Sequence, residues 1–181
     1  GYGGAVMWTG SNGTIQNSTF DKNKAEVNGG AIFLQGSKDY SNCENIMIRD
    51  SRFTDNFAGT NGGAVDFYRG ALNCTVSNCS FVDNTANRSG GAIFWFGRNG
   101  TIHSSNFTDN RALGQVEYTD SYGNLTYGGN GGAIMWTGYH GSVDDCYFET
   151  NFAENNGGAV YLQGSDMGLC TDTKFDNCTY L

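Results

Sequence analysis

Proline is absent from this 181-residue sequence, histidine occurs twice, and charged residues make up only 15%. No apolar run approaches the about 18 residues that a membrane-spanning helix requires. Each shortage excludes a class. A collagen-like chain needs proline and a three-residue glycine period. Nucleic-acid binding wants a basic patch, whereas 10 Lys+Arg stand against 18 Asp+Glu, a net charge of −8. Apolar residues, at 38%, fall below the usual share of about 45–50%. What is abundant is glycine (28), with asparagine at 21 positions, and so much of both disfavours helix interiors. Disorder is also disfavoured, because 12 Phe, 10 Tyr and 3 Trp are more aromatics than a disordered chain carries. The remaining class is an all-β protein that places few large side chains economically.

The chain opens on Gly1-Tyr2-Gly3 with no leader or lipidation motif, so it is expected to be a processed chain or an excerpt of a longer repeat protein. Any membrane link would then come through parts of that parent outside this sequence.

Internal repetition sets the architecture. Gly-Gly-Ala begins at Gly3, Gly29, Gly62, Gly90, Gly131 and Gly157. Phe-x-x-Asn-x-Ala begins at Phe20, Phe53, Phe81, Phe107 and Phe148. A degenerate sixth copy is assigned to Phe175, with Cys178 in place of Asn and Tyr180 in place of Ala. The unit is 26 residues, with insertions near 37–47, 68–72 and 113–128 in one repetitive domain spanning 1–181.

After each Ala comes an aliphatic column (Val6, Ile32, Val65, Ile93, Ile134, Val160), then, two residues on, Trp8, Leu34, Phe67, Trp95, Trp136 and Leu162. Residues two apart on a strand share a face, so both columns point inward. Five before each Phe stand Ile15, Ile48, Val76, Ile102, Val143 and Cys170, also inward. Three before Phe stand Asn17, Asp50, Asn78, Ser104, Asp145 and Asp172, residue types that tolerate left-handed backbone angles and so mark a bend. Three short strands per unit, separated by bends, predict a parallel β-helix of about six coils. The crossover rule makes it right-handed. Asn23, Asn56, Asn84, Asn110 and Asn151 are predicted to form a stacked amide ladder.

The paired words Gly-Gly-Ala-(Ile/Val) and Phe-x-x-Asn, repeated over essentially the whole chain, resemble the repeats of polymorphic outer-membrane proteins. They also resemble adhesin-like surface proteins of methanogenic archaea. The resemblance implies a right-handed parallel β-helix at a cell surface, working in attachment, with no catalytic residue to carry over. The ligand is not implied.

Function is sought first on the outward face of the Gly-Gly-Ala strands. Met7, Phe33, Asp66, Phe94, Met135 and Tyr161 alternate with the buried columns, followed by Thr9, Gln35, Tyr68, Phe96, Thr137 and Gln163. An exposed aromatic stripe is expected, and such patches mark interaction sites for an extracellular protein or glycan. The alternative is that the 113–128 insertion, with Tyr118, Tyr122 and Tyr127, folds over it as a lid. Asp55, Asp83 and Asp109 recur two residues after Phe and form a weak Ca²⁺ candidate; no other metal or cofactor is expected. Of nine Asn-x-Ser/Thr sequons, Asn99 and Asn124 lie in expected turns, with Asn12, Asn73 and Asn87 as further candidates; Asn17 and Asn78 look structural. Cys43 and Cys74 are the one pair considered for a disulfide, while Cys79, Cys146 and Cys170 occupy inward columns.

Two alternatives accompany the adhesin reading. One is a structural subunit whose coils self-assemble into an extracellular filament, since open solenoid ends associate. The other is a polysaccharide lyase or hydrolase, which would need an acid and a base in a groove. His103, His140, Asp144 and Asp145 form no obvious dyad, and nothing selects Asp39, Asp120 or Glu117.

Overall fold

The computed structural model describes residues 1–36, 43–115, 117–119, 125–164 and 172–181. Among these no helix occurs, and the chain winds through short parallel strands. Each coil contributes four strands rather than the expected three. The Gly-Gly-Ala sheet stacks Val6–Trp8, Ile32–Leu34, Val65–Phe67, Ile93–Trp95, Ile134–Trp136 and Val160–Leu162. The second sheet runs from Thr14–Gln16 to Lys174–Asp176, and the third from Thr19–Asp21 to Thr179–Tyr180. The fourth carries the Ala of Phe-x-x-Asn-x-Ala in two-residue strands, from Lys24–Ala25 to Phe152–Ala153. Three sheets are six strands deep and the fourth is five deep, so the path makes about five full turns.

Corners explain the sequence's liking for asparagine and aspartate. Between the second and third strands, Asn17, Asp50, Asn78, Ser104, Asp145 and Asn177 all take positive φ, between 46° and 52°. A second such corner holds Asn12, Asn45, Asn73, Asn99, His140 and Asp172, and a third holds Lys22, Asp55, Asp83, Asp109 and Thr150. The first Gly of every Gly-Gly-Ala word makes the fourth, with φ from 59° to 67°. A single left-handed residue reverses the chain without spending a loop, and Asn and Asp accept it most readily after Gly.

In the last coil the register differs from expectation. Phe175 pairs with Val143 and Tyr180 with Phe148. Phe175 therefore fills the column of Ile15 and Val143, Tyr180 the Phe column, Asn177 the bend and Cys178 the column of small residues Ser18, Ser51, Cys79, Ser105 and Cys146. The expected assignment was five residues out of phase, and it placed Cys170 in a column that Phe175 fills; Cys170 itself lies outside the described residues. Near the 37–47 insertion the ladder has already resumed at Cys43–Glu44, which pairs with Ala71–Leu72.

Stacking fills the interior. The rings of Phe20, Phe53, Phe81, Phe107, Phe148 and Tyr180 form one column, with centroids 4.7–5.0 Å apart and interplanar angles of 8° or less. Such pairs contribute about 0.5–1.5 kcal/mol each beyond area burial. Beside them runs the amide ladder. Asn84 Nδ2 donates to Asn110 Oδ1 (2.9 Å) and to the Phe53 carbonyl (3.0 Å). Its Oδ1 accepts the Asn56 amide (2.9 Å) and the Asn56 backbone N–H (3.1 Å). Asn56 and Asn110 repeat this pattern, so each central amide makes all four of its bonds while buried.

One size pairing escaped the column reading. In the coils with Trp8, Trp95 and Trp136 the fifth residue onward is Gly13, Gly100 or Gly141. A Cβ on Gly141 would stand 2.1 Å from Trp136 Cζ2, and Gly13 and Gly100 are equally closed. Where the inward residue is Leu34 or Phe67, that column holds Ile46 or Cys74 instead. Volume is thus conserved coil by coil. Gly141→Ile alone should cost about 2–3 kcal/mol or more, and combining it with Trp136→Leu should recover part of that loss in urea denaturation. A double-mutant cycle with no coupling would refute the pairing.

Candidate functional site

Alternation places Met7, Phe33, Asp66, Phe94, Met135 and Tyr161 outward from the Gly-Gly-Ala sheet in direct register. The expected continuous exposed stripe is not found. Met7 is exposed, and Tyr68, Phe94, Phe96 and Tyr161 are half-buried, but Phe33 and Met135 are buried. Large side chains one coil apart, about 4.8 Å, cover one another. Phe33 lies against Tyr2 at 4.7 Å and Tyr68 at 5.7 Å, and Met135 is flanked by Phe94 and Tyr161.

What stays accessible is a ledge just beyond the ends of these strands. Tyr68 and Phe96 rings lie 6.2 Å apart. The Arg69 guanidinium sits over both, 5.9 Å from Tyr68 and 5.6 Å from Phe96. One coil further, Arg98 lies 4.5 Å over Tyr139, which meets His140 edge-on at 5.4 Å. His140 Nδ1 is 3.2 Å from an Asp172 carboxylate oxygen. Rings and cations therefore alternate up the rod, and each arginine reaches from its own coil onto a ring of the next. Sequence reading found Tyr68 and Phe96 but missed Tyr139 and both arginines, because Arg69 and Arg98 occupy unlike positions in their repeats. Their spacing after Tyr68 and Phe96 was the signal available.

Beneath the ledge Asp66 has no exposure, between Phe33 and Phe94 in register. Neither of its oxygens has a hydrogen-bond partner among the described residues, nor does the buried Oδ1 of Asn61. Burial raises the Asp66 pKa well above the ordinary carboxylate value. Asn28 is the neighbour that opposes the rise, but it makes no hydrogen bond of normal geometry to either oxygen, so desolvation decides.

The other candidates take structural places. Asp55, Asp83 and Asp109 are one per coil at a left-handed corner, and no cluster of three or more metal-ligating side chains occurs among the described residues. Burial, then the charges of Asp109 and Asp55, raise the Asp83 pKa, while Asp109 accepts a hydrogen bond from Thr150. Asn12, Asn73 and Asn99 are exposed, but at a corner rather than in loops; Asn99 Nδ2 donates to Asn73 Oδ1 at 3.0 Å. Asn87 is half-buried. Asn78 donates to Asp50 across the bend, at 2.8 Å.

Cys43 and Cys74 are free, contrary to the bridge considered for them. Register sets Cys43 beside Ala71, three residues away from Cys74's place in the ladder, and both thiols point to backbone carbonyls. Burial pushes the Cys43 thiol up to about 12. Cys79, Cys146 and Cys178 replace serine at a step where Ser18, Ser51 and Ser105 donate to the carbonyl two residues back. His103 lies in the second sheet with its Nδ1 3.4 Å from Ser104 Oγ, on a different face from His140. Tyr118 and Tyr127 lie on an antiparallel hairpin, Glu117–Thr119 against Leu125–Tyr127, of which only the backbone is described. Tyr122, Asn124, Asp39 and Asp120 lie outside the described residues.

A family model described as a right handed beta helix region matches residues 3–180. No curated protein and no solved structure matches the chain.

Asp66 gives a test with a definite sign. Its pKa is raised in the folded state, so folding retains a proton that the unfolded chain releases. Its contribution is complete below the unfolded value near 3.8 and is lost as pH rises towards the folded pKa. Stability of the native chain should therefore fall between pH 4 and pH 8 relative to Asp66→Asn. Urea melts with parallel pH profiles for the two proteins would refute the assignment.

Proposed function

We infer that this chain, which belongs to the right-handed β-helix family, is an attachment segment that works outside the cell and binds a glycan or protein on its Tyr68–Tyr139 ledge. The observation that carries the reading is the alternation of half-buried rings with exposed guanidiniums along one side of a rigid rod. Aromatic and arginine side chains are the types that dominate recognition surfaces. The backbone beneath them is fixed by coil-to-coil hydrogen bonds, so the face is organised before a ligand arrives. The exposed sequon residues Asn12, Asn73 and Asn99 suit a secreted glycoprotein. The repeats resemble surface adhesins, which agrees with this role.

Filament formation is a second reading, favoured by the sixth coil. A cavity of about 320 Å³ there is lined by Gly157, Gly158, Ala159, Val160, Leu162, Phe175 and Tyr180, with Leu162 and Tyr180 partly exposed. A further coil, from this chain's parent or another copy, would cover it. Filaments in electron micrographs would favour that reading.

The docking reading is tested by Phe94→Ser/Phe96→Ser. A glycan array probed with the native chain should give specific binding, and the double variant should weaken it at least about tenfold, the loss of one or more hot-spot contacts. The variant should keep its cooperative melt. Unchanged binding would reject the ledge.

A further inference from the structure

The ledge is uneven in charge in a way that a neutral ligand does not explain. Acids outnumber bases by 18 to 10, so a surface arginine has carboxylates to choose from. Arg49 takes one, lying 2.8 Å from Asp50, and Lys22 approaches Asp21 at 3.8 Å. Arg69 and Arg98 have no carboxylate within 4.0 Å among the described residues, although both are exposed. They lie instead on ring faces, at 5.6–5.9 Å and 4.5 Å. Asp172 meets His140, and Asp66 is enclosed beneath the strand.

We propose that the ledge takes an anionic glycan, with Arg69 and Arg98 holding carboxylate or sulfate groups and the rings of Tyr68, Phe96 and Tyr139 carrying the sugar faces. This rests on the ledge being the binding face and names its ligand class. A guanidinium laid on a ring keeps its N–H fork directed outward and loses little freedom on binding an oxyanion. Two such groups on successive coils suit a polymer whose charges recur along its length. An acidic peptide is the lesser fit. Extended peptides gain affinity by adding to a free sheet edge, and the strands of this face already pair on both sides.

The test is titration of the native chain, Arg69→Gln/Arg98→Gln and Phe96→Ser with polyglucuronate, its methyl ester and polyglutamate. Native chain should bind polyglucuronate at least about tenfold more tightly than the ester, a difference of about 1.4 kcal/mol. The arginine variant should lose that preference and keep its melting temperature, since both side chains are exposed. Phe96→Ser should weaken acid and ester alike. Equal binding of acid and ester, or an arginine variant that still discriminates, would overturn the anionic ligand while leaving the ledge as the binding face. Tighter binding of polyglutamate would overturn it in favour of an acidic peptide. Binding to neither glycan form would overturn the anionic glycan and, of the ledge reading, leave only a protein ligand.

Discussion

Coil-to-coil register, held by buried asparagine amides, is the constraint on which the rest of this structure depends. A side-chain amide has two donors and an acceptor with two lone pairs. At Asn56, Asn84 and Asn110 all four are used, three towards the preceding coil and one towards the next. A slip of one residue would leave these buried groups unpaired, at about 1–3 kcal/mol each. It would also turn the Phe column to solvent, because side-chain direction alternates along a strand. Apolar stacking alone tolerates small offsets; the amides do not.

Once register is fixed, outward side chains become rows, and their exposure follows from what the row contains. Phe33 and Phe94 enclose the smaller Asp66, and Phe94 and Tyr161 enclose Met135. The ledge escapes because its side chains leave the strand near the corner, where the chain bends away. Its arginines use ring faces in the next coil. Accessibility there and burial a few ångströms below are two consequences of one spacing. Asp66 marks the cost: a carboxyl in a row of rings, its pKa raised by burial.

Most of the fold was legible in the sequence because repetition reveals direction. Six aligned copies showed which positions are always aliphatic, always small or always Asn, and each pattern has one physical meaning. The two-residue fourth strand was missed, since Lys24–Ala25 and its equivalents are too short to show alternation. The last coil was misread because Phe175 imitates the repeat word while filling an aliphatic place. Less of the site could be read. Alternation says that Phe33 and Phe94 point outward, but not that neighbours 4.8 Å away cover them. The Arg69 and Arg98 contacts pass between coils, and the two arginines share no column. The glycine facing each Trp was legible in principle, as a correlated change of size between two columns.

The most direct test of the register account is Asn84→Asp. The substitution keeps shape and removes the two donors aimed at Asn110 Oδ1 and the Phe53 carbonyl. It should lower unfolding free energy by about 3 kcal/mol or more at neutral pH, as two buried bonds become contacts between acceptors. A loss below about 0.5 kcal/mol, the range of an ordinary surface substitution, would show that ring stacking sets the register and that the amide ladder merely follows it.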